Sequence, residues 1–233
     1  IAVFSPWLTP YSIEDLTQRY YTGAWDPPSP DHLLGQAALG HDILGRIIWG
    51  ARISLLVGVQ SLLIASIGGT ILGLIAAYKG GRLDNIIMRI LDAINAFPSM
   101  ILALVFVAMW GKALSNIMLA FGLLGIPTYA RVIRATTLQI KSSTYIKAAK
   151  ATGASEFKIM FTQILPNAIS PVIIELSFNI AYIILDLAGL SFFGFSDTSV
   201  ITWGNDIAEG RNQLKTAPYA VLWPGIMIFI TAM

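Results

Sequence analysis

Few residues in this 233-residue chain could do chemistry, and three of them are carboxylates set in apolar runs: Asp92, Glu175 and Asp186. An ionised group at membrane depth is expensive and normally faces a protein interior or a watery cavity. Glu175 and Asp186 are separated by about three helical turns, which puts both on one helix face together with Asn179 and Tyr182. A stripe of Glu175, Asn179, Tyr182 and Asp186 along an apolar helix suits the wall of a polar pathway, with interhelical hydrogen bonding as the competing use of the same groups. Asp92 follows Arg89 at i,i+3 spacing, where a local ion pair is expected.

Bond-making chemistry has no comparable support. The chain contains no Gly-x-x-x-x-Gly-Lys-Ser/Thr loop, no His-Glu-x-x-His and no Gly-x-Ser-x-Gly. It has no cysteine, and its two histidines, His32 and His41, sit in a loop, where both are expected to be solvated and to hold no metal. Neither catalytic residues nor a cofactor are expected. Energy for any transport must then come from a partner or from an ion gradient.

The elements that position these residues follow from composition. Hydrophobic residues make up 55% of the chain and charged residues 12%, about half the charged fraction of a soluble domain. The expected fold class is all-α, a polytopic membrane protein. The net charge of +2 is too small to suggest a nucleic-acid partner. Complete spans are expected at Ser54 to Tyr78, Ile86 to Trp110 with a kink at Pro98, Ala113 to about Ile133 interrupted by Gly125-Ile126-Pro127, and Asn167 to Phe193. Gly69 and Gly73 lie at small-xxx-small spacing on the first of them. Ile1 to Leu8 reads as the end of an earlier span and Tyr219 to Met233 as the start of a last one, as in a fragment of a longer protein. Residues 1–53 would form that end plus an outer loop, and 54–233 the transmembrane domain. In the outer loop, Ser12 and Asp15 have capping-box spacing ahead of a polar helical pattern, and Asp26 to Pro30 reads as a rigid linker. Gly194 to Pro218 is expected to be a polar loop.

Between the third and fourth complete spans lies a basic island, within 143–166. Tyr145 to Thr152 is rich in small helix formers, including Ala148 and Ala149, and Gly153 is placed to end that helix. Ala154 leads to Ser155, which can cap a second helix beginning at Glu156, and Leu165-Pro166 stands where the next apolar helix begins. Lys79, Arg82, Arg89, Arg131, Arg134, Lys141, Lys147, Lys150 and Lys158 all fall on the side of the island, against Asp84 and Glu156. The positive-inside rule makes that side cytoplasmic.

The spacing of Ala148-Ala149, Gly153 and Leu165-Pro166 resembles the EAA loop of ABC importer permeases, with Lys147 in place of the usual Glu and Gln163 in place of Ile. The likeness extends through Gly50-Ala51-Arg52-Ile53-Ser54-Leu55, Ile87-Met88-Arg89, Ala96-Phe97-Pro98, Tyr129-Ala130-Arg131, Leu190-Ser191-Phe192, Trp203-Gly204 and Ala217-Pro218. Together these look like the second permease subunit of dipeptide, oligopeptide and nickel ABC importers. Near Leu34 the family pattern Leu-Gly-Thr-Asp, two residues, Gly-Arg-Asp reads Leu34-Gly35-Gln36-Ala37, as though its Asp and Arg were lost.

The resemblance implies about six transmembrane helices. It implies a homologous permease as heterodimer partner, two cytoplasmic ATPases that carry out ATP hydrolysis, and an extracytoplasmic solute-binding protein. The setting would be a bacterial or archaeal cytoplasmic membrane, in contact with lipid. Tyr145, Lys147, Ala148, Ala149, Gly153, Ala154, Ser155, Leu165 and Pro166 would then couple to the ATPase, and Glu175, Asn179, Tyr182 and Asp186 would line the pathway. Di- and oligopeptides are the expected cargo, with nickel or a metal chelate as the alternative. An ion-coupled secondary transporter is the alternative from another class.

Overall fold

The computed structural model describes residues 2–233, and among them the regular structure is helical, with a single isolated β-bridge between Gln36 and Asp42. A short turn, α1 (Ser5–Leu8), ends where Thr9 turns extended. The outer loop follows. Ser12 and Asp15 form the reciprocal capping contacts, Ser12 N to Asp15 Oδ2 at 2.9 Å and Asp15 N to Ser12 Oγ at 3.1 Å, yet the expected helix after them is only a series of turns. Leu16 is the one apolar side chain there with a fully buried site, too little to propagate a costly helix nucleus.

The first long helix, α2 (Ile43–Lys79), begins well before Ser54, because Asp42 Oδ2 accepts from Gly45 N at 2.7 Å and caps it. At 37 residues it is about 55 Å long, well beyond the hydrocarbon thickness. The expected kink at Pro98 is a break: α3 (Gly81–Asn95) and α4 (Ser99–Trp110) meet at 87°. Pro98 lacks an N–H and drives the preceding residue out of the helical region. Conversely, Pro127 does not interrupt α5 (Leu114–Lys141), which runs on past Ile133. Next come α6 (Thr144–Ala151), α7 (Glu156–Lys158), a π-helical stretch (Ile159–Ile164), α8 (Leu165–Ala168) and α9 (Ser170–Phe192). The stretch 194–218, expected as a loop, holds α10 (Trp203–Gly210), capped by Thr202 Oγ1 accepting from Asn205 N at 3.1 Å. Finally, α11 (Tyr219–Ala232) is apolar but short. Three helices, α2, α5 and α9, are long and apolar enough to cross a membrane, and four spans result if α3 and α4 count as one.

The chain divides into two compact units. The first comprises residues as far as Val59, Leu104–Met118 and Ile180–Met233. Its core is built on Trp203, whose Nε1 donates to the Ile47 carbonyl at 3.0 Å and whose ring lies against Gly50, with Ala51, Ile184 and Ile228 around it. The second comprises Gln60–Ala103 and Leu119–Asn179. There Gly69 and Gly73 are packing residues: a Cβ on Gly73 would meet the Ala130 carbonyl oxygen at 2.2 Å, and one on Gly69 the Ile126 carbonyl oxygen at 2.6 Å. Backbone contact this close holds α2 against α5 on both sides of Pro127.

Gly73→Val should therefore lower the thermal stability of the purified protein by several degrees, since overpacking costs about 1–3 kcal/mol. Gly225→Ala, where an added Cβ meets nothing within 4 Å, should leave it unchanged. Equal melting temperatures for both variants would contradict this packing.

Candidate functional site

The second unit contains the basic island. Its helix α6 ends in a Schellman motif: Ala154 N bonds to the Ala149 carbonyl at 3.1 Å and Gly153 N to the Lys150 carbonyl at 3.1 Å, with Gly153 at φ +80°. Ser155 then caps α7 by accepting from Lys158 N. A π-helical stretch follows because Pro166 cannot donate to the preceding turn and crowds the carbonyl four residues back; Leu165 N bonds instead to Met160 O. Pro166 sits in the first turn of α8, as expected, and α9 opens only at Ser170.

Apolar side chains anchor this loop, and polar and cationic contacts join it to the end of α2. Ile146, Ile159 and Ile164 are fully buried. Lys141 donates to the Ala77 carbonyl at 3.0 Å, and Lys150 lies 5.0 Å from the Tyr78 ring centre. Lys79 pairs with Glu156, whose carboxyl it holds below the usual range. Cations gathered at the carboxyl end of α2 complement its dipole. What the loop leaves outside is Tyr145, 48% exposed, Phe157, 69% exposed, and the exposed small or polar residues Lys147, Ala148, Gly153 and Ser155; Ala149, Ala154 and Leu165 are half-buried.

The acidic groups of this unit separate into paired and unpaired. Asp84 takes a bidentate contact from Arg134, Nε and Nη2 each at 2.7 Å. Asp92 pairs with Arg131 at 2.9 Å, not with Arg89 as its spacing suggests, because α5 brings a guanidinium directly opposite it. Glu175 has no cation among the described residues; its Oε1 accepts from Asn179 Nδ2 at 2.8 Å. Nearby, the hydroxyl of buried Tyr129 faces Asn179 and Glu175. Sequence reasoning missed Tyr129 as a neighbour of the stripe, and only its polar tip among small residues on α5 pointed to it.

Within the first unit, Asp186 is half-buried and has no cationic partner among the described residues, while Tyr182 is exposed beside Leu185. The four stripe residues thus share a face of α9 without sharing one environment. This unit also holds a buried ionic cluster that sequence reasoning missed. Arg46 donates to Asp206 Oδ1 from Nε at 2.7 Å and to the Leu16 carbonyl from Nη1 at 3.1 Å, with Nη2 2.6 Å from the same Asp206 oxygen as an ion pair. Burial pushes the Asp206 carboxyl up, opposed by Arg46. His41 is not solvated: it is 2% exposed, its Nε2 donates to the Arg19 carbonyl at 2.7 Å, and burial holds it below the usual imidazole range. Its Nδ1 therefore accepts from Arg46 Nη1 at 3.2 Å. His32 Nδ1 lies 3.0 Å from Asp42 Oδ1. The outer-side Asp and Arg are consequently present, not lost: Leu39-Gly40-His41-Asp42-Ile43-Leu44-Gly45-Arg46 fits the pattern five residues later than Leu34, with His41 in place of Thr.

Residues 69–233 match the family model of the binding-protein-dependent transport system inner membrane component. Over its whole length the chain is 38% identical to the glutathione transport system permease protein GsiD of Pectobacterium atrosepticum, covering 77% of that protein. It is 36% identical to the dipeptide transport system permease protein DppC of Alkalihalophilus pseudofirmus, covering 76% of it, and 34% identical to the di/tripeptide permease DppC of Pseudomonas aeruginosa, covering 78%. Among solved structures, the inward-facing MetNI methionine ABC transporter superposes with a TM-score of 0.66 over 81% of this chain and 92% of that one, at 15% identity, a likeness of fold alone.

Removing Arg46 alone leaves the Asp206 charge buried, so Arg46→Met should cost about 3–5 kcal/mol of stability. The double variant Arg46→Met/Asp206→Leu should recover most of that in thermal unfolding. Additive losses in the double variant would show that the pair is not coupled.

Proposed function

The chain belongs to the family of binding-protein-dependent transport system inner membrane components, and from that premise we propose that it is a permease subunit of an ATP-driven importer of small peptides. Its relatives over the whole length are named for dipeptides, di/tripeptides and glutathione, itself a peptide. The observation that carries the mechanism is the Gly153-ended loop, tied to α2 by Lys79–Glu156 and by Lys150 over Tyr78 and anchored by buried Ile146, with Tyr145 and Phe157 left outside. Two cytoplasmic ATPases dock on that surface. A helix pinned by both apolar anchors and ion pairs moves with the unit that holds it, so a push on α6 is passed to the end of α2. A homologous permease completes the pathway, and an extracytoplasmic binding protein delivers the cargo. The Lys- and Arg-rich segments, this loop among them, lie on the cytoplasmic face of a bacterial or archaeal inner membrane.

Glu175, Asn179, Tyr182 and Asp186 form the polar wall of the pathway. A peptide carries an α-ammonium and amide donors, and carboxylates without a cation of their own offer it acceptors. The Asp84 carboxylate, by contrast, already has both oxygens taken by Arg134. The binding must stay weak enough for release. The ion-coupled alternative has no feature that favours it over ATP-driven transport.

The test is uptake of a labelled dipeptide into vesicles holding the assembled complex, with ATPase activity measured in parallel. A Cβ at Gly153 meets nothing within 4 Å, so Gly153→Val perturbs the backbone at φ +80° and not the packing. It should leave the spans folded and reduce uptake at least tenfold relative to ATP hydrolysis. Glu175→Gln should slow uptake and leave assembly intact. Normal uptake per ATP in Gly153→Val would contradict transmission through the loop, and normal uptake in Glu175→Gln would remove that residue from the pathway.

A further inference from the structure

Helix α3 divides into three sectors around its axis. Asp84 and Leu91 are buried, on the face turned to α5, where Arg134 takes Asp84. Leu83, Ile86 and Ile90 form an exposed apolar strip, 41%, 57% and 58% exposed. Arg82 and Arg89 flank this strip along one edge, both exposed, and neither makes an ion pair among the described residues. An apolar strip bordered by arginines is the pattern of a helix lying in a membrane surface.

The ion pairs fix how α3 runs. From Asp84 to Asp92 it advances about 12 Å, while the matching partners, Arg134 and Arg131, are only about 4.5 Å apart along α5. An antiparallel pair of spans would keep step. The two pairs are thus out of step by about 7.5 Å, and α4 departs from α3 at 87°, so α3 and α4 cannot both run along the membrane normal. The lengths agree with this. An interfacial helix sits about 5–10 Å into the leaflet, which leaves about 20–25 Å of a 30 Å core for α4, and its 12 residues extend about 18 Å, near the lower end of that range.

Beside the arginine edge is a cavity of about 500 Å³ lined by Asn85, Ile86, Met88, Arg89, Asp92 and Arg134. Its carboxylate Asp92 is held by Arg131, and Arg134 is occupied by Asp84, which leaves Arg89 and Asn85 as free donors toward the cavity. An anionic oxygen of a phosphate diester matches those donors, and acyl chains match the strip beside them.

We propose that α3 lies in the plane of the cytoplasmic leaflet as a lipid-binding helix. The apolar strip enters the acyl region, and Arg89 with Asn85 holds the phosphate of an anionic phospholipid, assisted by Arg82. This inference does not depend on which solute the protein moves.

The test uses the assembled complex in vesicles of one part phosphatidylglycerol to three parts phosphatidylcholine. Nitroxide labels placed singly at Leu83, Ile86 and Ile90 should all be accessible to oxygen and should report the same depth within a few ångströms. A depth that grows by about 10 Å from position 83 to position 90 would make α3 part of a span and overturn the proposal. Labels shielded from both oxygen and a water-soluble relaxer would show a second polypeptide on the strip and overturn it equally. In addition, Arg82→Gln/Arg89→Gln should retain less phosphatidylglycerol through purification, by about fivefold for each arginine. Its retention of phosphatidylcholine should not change. Unchanged phosphatidylglycerol retention would overturn the phosphate contact.

Discussion

A charge taken out of water must find a partner, and most of this structure can be derived from where partners were found. In the first unit, Arg46 and Asp206 are both buried and form an ion pair through one carboxylate oxygen, Asp206 Oδ1, which accepts from Arg46 Nε at 2.7 Å. In the second, Asp84–Arg134 and Asp92–Arg131 join α3 to α5, and Lys79–Glu156 joins the loop to α2. The exposed pairs contribute little individually, but the buried one cannot be broken on one side without leaving an uncompensated charge. Against that background Glu175 and Asp186 stand apart, half-buried within an apolar helix with no cation among the described residues. That contrast separates carboxylates that hold the fold together from carboxylates that do not, and it is the basis of the pathway role proposed for Glu175 and Asp186.

The same economy explains the basic loop. Its helices are too short, eight and three residues in α6 and α7, to fold as an isolated helix pair. Four apolar side chains, Ile146, Ile159, Met160 and Ile164, are buried, and the remaining stabilisation comes from the end of α2, where exposed carbonyls and the Tyr78 ring receive Lys141 and Lys150. A mobile surface loop would dissipate force. A loop anchored on both its apolar and its ionic side can transmit it.

Local chemistry was legible in the sequence. The end of α6 at Gly153, the cap at Ser155, the first-turn proline at 166 and the long apolar helices all follow from residue type and spacing, and all are present. Long-range pairing was not legible. Arg46 and Asp206 are 160 residues apart, and neither periodicity nor spacing links them. Asp92 has Arg89 in reach along its own helix, but the geometry of α3 against α5 gives it Arg131. His41 resembles any loop histidine until the outer loop folds over it. Pro127 and Pro98 show the limit of local rules in one chain: α5, packed closely against Gly69 and Gly73, continues through its proline, and the helix before Pro98 breaks. Likewise α10 hid in a stretch of mixed polarity, because its buried residues include Asn205 and Asp206, which are inside only by virtue of their partners.

The account as a whole requires the basic loop and the loop containing α10 to be on opposite faces of the membrane. Single cysteines at Ser142 and Thr198, both exposed, report this directly in sealed vesicles of known orientation; Ser196 is unsuited because it is buried and donates to Asn205. A membrane-impermeant maleimide added from the outside of right-side-out vesicles should label position 198 at once and position 142 only after the membrane is opened. Labelling of both positions in intact vesicles would contradict the account.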